Sequence, residues 1–147
     1  MKSVFKKIII LLILLLPNIV NADFFEDITY KIENNSKRLS YGVSVTDMDQ
    51  DGKYEFLVTG FGYANLALSY DNGKLINIAN KNVISDKFRK TIGVAACDVD
   101  RDGYEEIYFL NTDTYSGKKK YSDRLIDFEE NKFLDMFEIE KNKEDLN

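Results

Sequence analysis

Asp47-Met48-Asp49-Gln50-Asp51-Gly52-Lys53-Tyr54-Glu55-Phe56 returns 51 residues later as Asp98-Val99-Asp100-Arg101-Asp102-Gly103-Tyr104-Glu105-Glu106-Ile107. Each copy sets carboxylates at positions 1, 3, 5 and 9, with a glycine at position 6. Four carboxylates so close together repel one another unless a cation sits between them. Oxygen donors on a flexible loop suit calcium better than magnesium, which demands tight octahedral geometry, or zinc, which prefers nitrogen and sulfur. Gly52 and Gly103 permit the turn around the ion, and the carbonyl at position 7 points inward in loops of this kind. The expected ligands are Asp47, Asp49, Asp51, Lys53 and Glu55 in the first loop, and Asp98, Asp100, Asp102, Tyr104 and Glu106 in the second. That makes about two calcium ions per chain. Glu106 is preferred to its neighbour Glu105 because it shares the position of Glu55. Asp and Gly are also ordinary turn residues, but two matches in the same phase argue for ion sites. An EF-hand is excluded: its twelfth position needs an acid, and here it holds Val58 or Phe109.

Outward from the loops the repetition continues. Gly42-Val43 matches Gly93-Val94, and Tyr41 matches Ile92. Downstream, Tyr70-Asp71-Asn72-Gly73-Lys74-Leu75 parallels Phe128-Glu129-Glu130-Asn131-Lys132-Phe133 at an offset of 58, so the second copy carries about seven extra residues, placed at 112–120. Tyr41, Val43 and Val45 alternate with small or polar residues, the period of a strand. Strands are also expected at 56–58 or 107–110, at 66–70 or 125–128, and at 75–78. Asp71-Asn72-Gly73 is a strong hairpin signal. Four short strands in about 50 residues is the size of one propeller blade. The expected fold is therefore all-β: two β-propeller-type blades built on four-stranded repeats of about 51 residues, an incomplete propeller. Phe25-Glu26-Asp27-Ile28 lies 51 residues before Ile76 and is expected to lend a fourth-type strand to a neighbouring blade. Residues 80–90 read as a polar loop or short helix.

Residues 1–7 are basic, 8–16 form an unbroken apolar run, and Val20-Asn21-Ala22 is a small-residue cleavage site. That pattern is a signal peptide over 1–22, too short for the roughly 20 apolar residues of a membrane span. The expected domains are 1–22 signal peptide, 23–137 two calcium-binding repeats, and 138–147 a charged C-terminal tail. Localisation is expected to be secreted or periplasmic, with no membrane span in the mature chain. Loss of the leader's three lysines leaves 17 basic against 25 acidic side chains, a net charge near −8. Nucleic acid and anionic lipid surfaces, both bound through basic patches, are not expected partners. The chain has no histidine, which removes every mechanism built on an imidazole base or ligand. The sole cysteine, Cys97, cannot form an intramolecular disulfide and is expected to be a small buried residue. The ten Phe and nine Tyr are expected to pack between blades rather than form a carbohydrate platform.

At these residues the sequence resembles the FG-GAP (VCBS-type) repeats of integrin-α-like β-propellers. Tyr41-Gly42 stands where such repeats carry Phe-Gly, and Asp-x-Asp-x-Asp-Gly-x-x-Glu is similar to their calcium loop. A narrower resemblance is to the amino-terminal blades of the cartilage acidic protein family. It rests on Phe25-Glu26-Asp27-Ile28-Thr29, on Tyr41-Gly42-Val43-Ser44-Val45-Thr46-Asp47, on Ile92-Gly93-Val94-Ala95-Ala96-Cys97-Asp98, and most specifically on Glu105-Glu106-Ile107-Tyr108-Phe109-Leu110-Asn111-Thr112. The resemblance covers nearly all of 23–137. It implies a secreted calcium-binding propeller used for adhesion or extracellular contact, with no catalytic residues to carry over. Family members continue through further blades, so ring closure is not expected of two.

The expected function is thus a non-enzymatic, calcium-stabilised repeat module outside the cytoplasm. A calcium-dependent hydrolase or lyase is the reading of a different class. Against it, the chain has no nucleophile elbow, no nucleophile–base pair and no cofactor fingerprint. A third reading is part of a larger propeller that folds with a partner chain. Two blades leave faces uncovered, so the expected partner is another blade-bearing protein or a second copy of this chain.

Overall fold

A computed structural model describes residues 25–79, 83–112 and 121–138. The expected leader, residues 113–120 of the expected insertion and the tail from 139 lie outside the described residues. The fold is two four-stranded antiparallel sheets, each in simple chain order. The first holds β1 (Val43–Thr46), β2 (Glu55–Val58), β3 (Leu66–Asp71) and β4 (Lys74–Asn77). The second holds β5 (Thr91–Cys97), β6 (Glu106–Asn111), β7 (Arg124–Glu129) and β8 (Lys132–Asp135). The all-β, two-blade expectation is borne out. Two-residue loops close both outer hairpins: Asn72 and Gly73 have φ of 47° and 84°, Glu130 and Asn131 have 48° and 62°. Left-handed backbone at both central residues suits the natural twist of paired strands.

The sheets stack in the same sense, like successive pages. Leu57 and its register partner Ala67 on the first sheet pack against Phe109, Ile107 and Ile126 on the second, with Met48 and Ile84 completing the core. The repeat counterpart of Leu57 is Tyr108, not Ile107, so opposite faces of equivalent sheets meet. This is how one blade sits on the next. β1 and β5 come together at two glycines: a Cβ on Gly42 would lie 3.1 Å from the Gly93 Cα and 3.2 Å from the Val94 nitrogen. A glycine here lets the backbones approach.

The structure departs from the sequence reading in four places. Residues 25–28 form no strand. Phe25 is exposed, and a short 3-10 turn (Thr29–Lys31) leads to Ile32, which makes a single parallel bridge to Leu75 of its own blade. The Asp27 carboxylate accepts the Thr29 N–H at 2.8 Å, turning the chain where extension was expected. Residues 83–90 form turns, as a loop should, yet Ile84 is wholly buried, held by Asn65 donating to its carbonyl at 3.1 Å. Cys97 is exposed, not buried. Its register partner is Glu106, which places it on the face of the second sheet that no other sheet covers among the described residues. Aromatic packing between blades is slight for the same reason: Phe109 is in the core, but Tyr41, Phe56 and Tyr70 lie exposed on or beside the first sheet.

Candidate metal centres

Each acidic loop joins the first two strands of its sheet, β1 to β2 and β5 to β6. The two loops fold alike. The fourth residue of each, Gln50 and Arg101, has a left-handed φ of 60° and 71°, followed by Gly52 at 85° and Gly103 at 98°. The leading aspartate caps the turn from inside. Asp47 accepts the N–H groups of Asp51 at 3.0 Å and Gly52 at 2.9 Å. Asp98 accepts those of Arg101 at 2.6 Å and Gly103 at 3.1 Å. Closing glutamates tie the loops to the strands: Glu55 accepts the Met48 N–H at 3.3 Å, and Glu106 accepts that of Val99 at 2.6 Å.

This folding brings Asp47, Asp49 and Glu55 together, and likewise Asp98, Asp100 and Glu106. Within each trio one carboxylate oxygen per residue lies within 4.8 Å of the others. Either group could hold a metal ion. Both glutamates are buried, Glu55 completely and Glu106 to 5 % exposure. Asp49 Oδ1 and Glu106 Oε1 are buried without a hydrogen-bond partner. A buried anionic oxygen with no donor is costly, so these atoms fit a cation lodged among them. Burial is the main cause raising the carboxyls of both Asp49 and Glu55 above the ordinary range. Neighbouring carboxylates add to it, Asp51 and Asp47 for Asp49, and Asp49 and Asp51 for Glu55. A donor set made only of oxygens favours a hard cation.

A family model described as FG-GAP-like repeat matches residues 47–109, a span that opens on the first acidic loop and takes in the second. That segment is similar to an FG-GAP-like repeat. Over 119 residues the chain is 44% identical to cartilage acidic protein 1 of Xenopus tropicalis and 43% identical to that of Homo sapiens. The mouse protein of the same name is 41% identical over the same length. These alignments take in 75% of this chain and 18% of each relative, so the chain spans about a fifth of the length of the curated relatives it matches. The resemblance read from the residues stands.

Within the matched segment not every expected ligand joins its group. Asp51 and Asp102 stay outside the two trios, each accepting a loop N–H at 2.8 Å, from Lys53 and Tyr104 respectively. Asp51 is also paired with the Lys53 ammonium at 3.1 Å. Glu106 is in its group, while Glu105 is exposed and outside it. Sequence reasoning missed the neighbours that the register supplies. Thr46 lies opposite Glu55 on β1, and the Ser69 hydroxyl on β3 donates to Glu55 at 2.9 Å. In the second blade the equivalent positions hold Cys97 and Asp127. The offsets of 51 and 58 could have revealed both.

Proposed function

We propose that the chain is a calcium-stabilised, non-enzymatic β-blade module that works outside the cytoplasm, in adhesion or another extracellular contact, after export behind residues 1–22. On this reading 23–137 is the two-repeat unit and 138–147 a charged tail. One observation carries the proposal: each loop closes on a buried glutamate, and a buried oxygen of each trio lacks a donor. Calcium supplies the missing charge. Asp51 and Asp102 and the carbonyls of Lys53 and Tyr104 complete the ligand sets. The cartilage setting in the relatives' name, together with the leader, supports an extracellular place for this chain.

The module offers its uncovered sheet faces to another blade, either a second copy or a blade-bearing partner. Residues that face the core on the second sheet have apolar counterparts exposed on the first: Ile107 corresponds to Phe56, and Val94 to Val43.

Melting of the purified chain in millimolar calcium and in chelator tests the ion reading. Exposed extracellular sites bind at about 0.1–1 mM, and each adds about 1.4 kcal/mol at ten times its dissociation constant. The melting temperature should rise by several degrees with calcium. Asp49→Ala and Asp100→Ala should each remove about half of that rise. A midpoint indifferent to calcium and chelator alike would sink the proposal.

A further inference from the structure

The two centres differ in one buried group. In the first blade Glu55 lies across the β2–β3 pairing from Ser69, whose hydroxyl satisfies one of its oxygens at 2.9 Å. The register pairs Phe56 with Leu68, and one step along it sets Glu55 opposite Ser69. In the second blade Ile107 pairs with Ile126, and the same step sets Glu106 opposite Asp127. Directly opposed side chains on one face have Cβ atoms about 4.5–5.5 Å apart. Asp127 is 6% exposed and Glu106 5%. A hydroxyl donor in one blade has become a second buried acid in the other, and the facing Glu106 Oε1 has no partner.

The surroundings point the same way. The first loop carries a cation of its own, since the Lys53 ammonium is paired with Asp51, whereas the matching residue in the second loop is Tyr104. Two like charges facing each other across a strand pair destabilise it, and a divalent ion held by the neighbouring trio offsets that repulsion.

We propose that Asp127 is an outer carboxylate of the second centre, beyond the trio of Asp98, Asp100 and Glu106, and that this centre binds its cation more tightly than the first and fills before it. The inference rests on the calcium reading above and deepens it. Affinity in oxygen-donor loops is tuned by the number of ligand charges, and removing an outer partner of a metal ligand commonly costs about 10–100-fold.

Calorimetric titration of calcium into the decalcified full chain is the test, with Asp127→Ser and the near-isosteric Asp127→Asn as variants. Far-UV circular dichroism in chelator shows whether each variant is folded. The expected result is two classes of site. Asp100→Ala removes the tighter class and Asp49→Ala the weaker. Asp127→Ser and Asp127→Asn each weaken the tighter class about 10–100-fold and leave the weaker one unmoved. Unchanged constants in both folded Asp127 variants would overturn the inference while leaving the calcium reading intact, as would a tighter class that disappears with Asp49→Ala. Absence of calcium heat in the wild-type chain would overturn both together.

Discussion

Arg124 is 8% exposed and carries its charge into the end of the second blade. Its Nε lies 3.2 Å from Asp135 on β8 and 3.4 Å from Asp86 in the loop before β5, and its Nη2 is 3.3 Å from Glu138. Arg89 holds Asp86 from the other side at 2.8 Å. Burial nonetheless outweighs this attraction, and the Asp86 and Asp135 carboxyls are raised above the ordinary range, with Arg124 opposing the shift in both cases and Arg89 for Asp86. A carboxyl raised in the folded state contributes stability that is present below its unfolded pKa and lost as pH rises through the folded one. The stability of the wild-type chain relative to Asp86→Asn should therefore fall as pH is raised from about 4, the unfolded aspartate value, towards neutrality. Paired denaturant titrations in chelator check the sign, and a difference that grows with pH would show that the two guanidinium groups win. Nothing in the sequence announced this cluster. Its members lie on three separate segments, and only the fold makes them neighbours.

The two acidic loops have the same backbone and different surroundings. Met48, second in its loop, is 3% exposed in the core between the sheets, whereas its counterpart Val99 is 61% exposed. Gln50, fourth in its loop, donates to the Phe128 carbonyl of β7 at 3.0 Å and so bridges the blades directly. Among the described residues the first loop is thus part of the contact between blades, and the second is not. Met48→Ala should cost about 2–5 kcal/mol, as burying less in a packed core does. Val99→Ala should stay within about 0.5 kcal/mol, as at other exposed positions. Equal costs in chemical denaturation would mean that the loops are equivalent after all. At this scale the sequence was most legible where structure is local: the carboxylate spacing, the glycines and the Asn72-Gly73 turn each carry their own geometry. It was least legible where a neighbour decides. Period-2 alternation marks two faces of a strand without saying which is covered, and so Cys97 was expected to be buried. Ile84 sits in a polar stretch whose character gave no hint that one side chain plugs the core. Residues 25–28 carry the family's opening pattern, yet the carboxylate of Asp27 turns them locally.

Two stacked sheets have two faces in contact and two outward. On the first sheet's outward side Val43, Val45, Phe56 and Tyr70 are all exposed, a surface of the kind that marks an interaction site. Stacking of equivalent blades within the chain supplies the geometry for a second copy to continue the series. Light scattering at micromolar concentration in millimolar calcium should accordingly give a mass above the monomer, and Phe56→Asp should lower it without loss of circular dichroism. A cooperative monomer in the wild type would show that two blades suffice alone. Faces are only one way for sheets to meet. The rims differ as well, because Ile32 bridges to Leu75 and the Glu33 N–H bonds the Leu75 carbonyl at 2.9 Å, laying backbone across the outer rim of β4. Among the described residues the outer rim of β8 has no such cover. Of the two outer rims, β8 is therefore the one open to strand-by-strand joining, while β1 and β5 form the inner edges of their sheets. Two chains that meet along β8 satisfy each other's outer rims, so joining through that strand produces a symmetric pair.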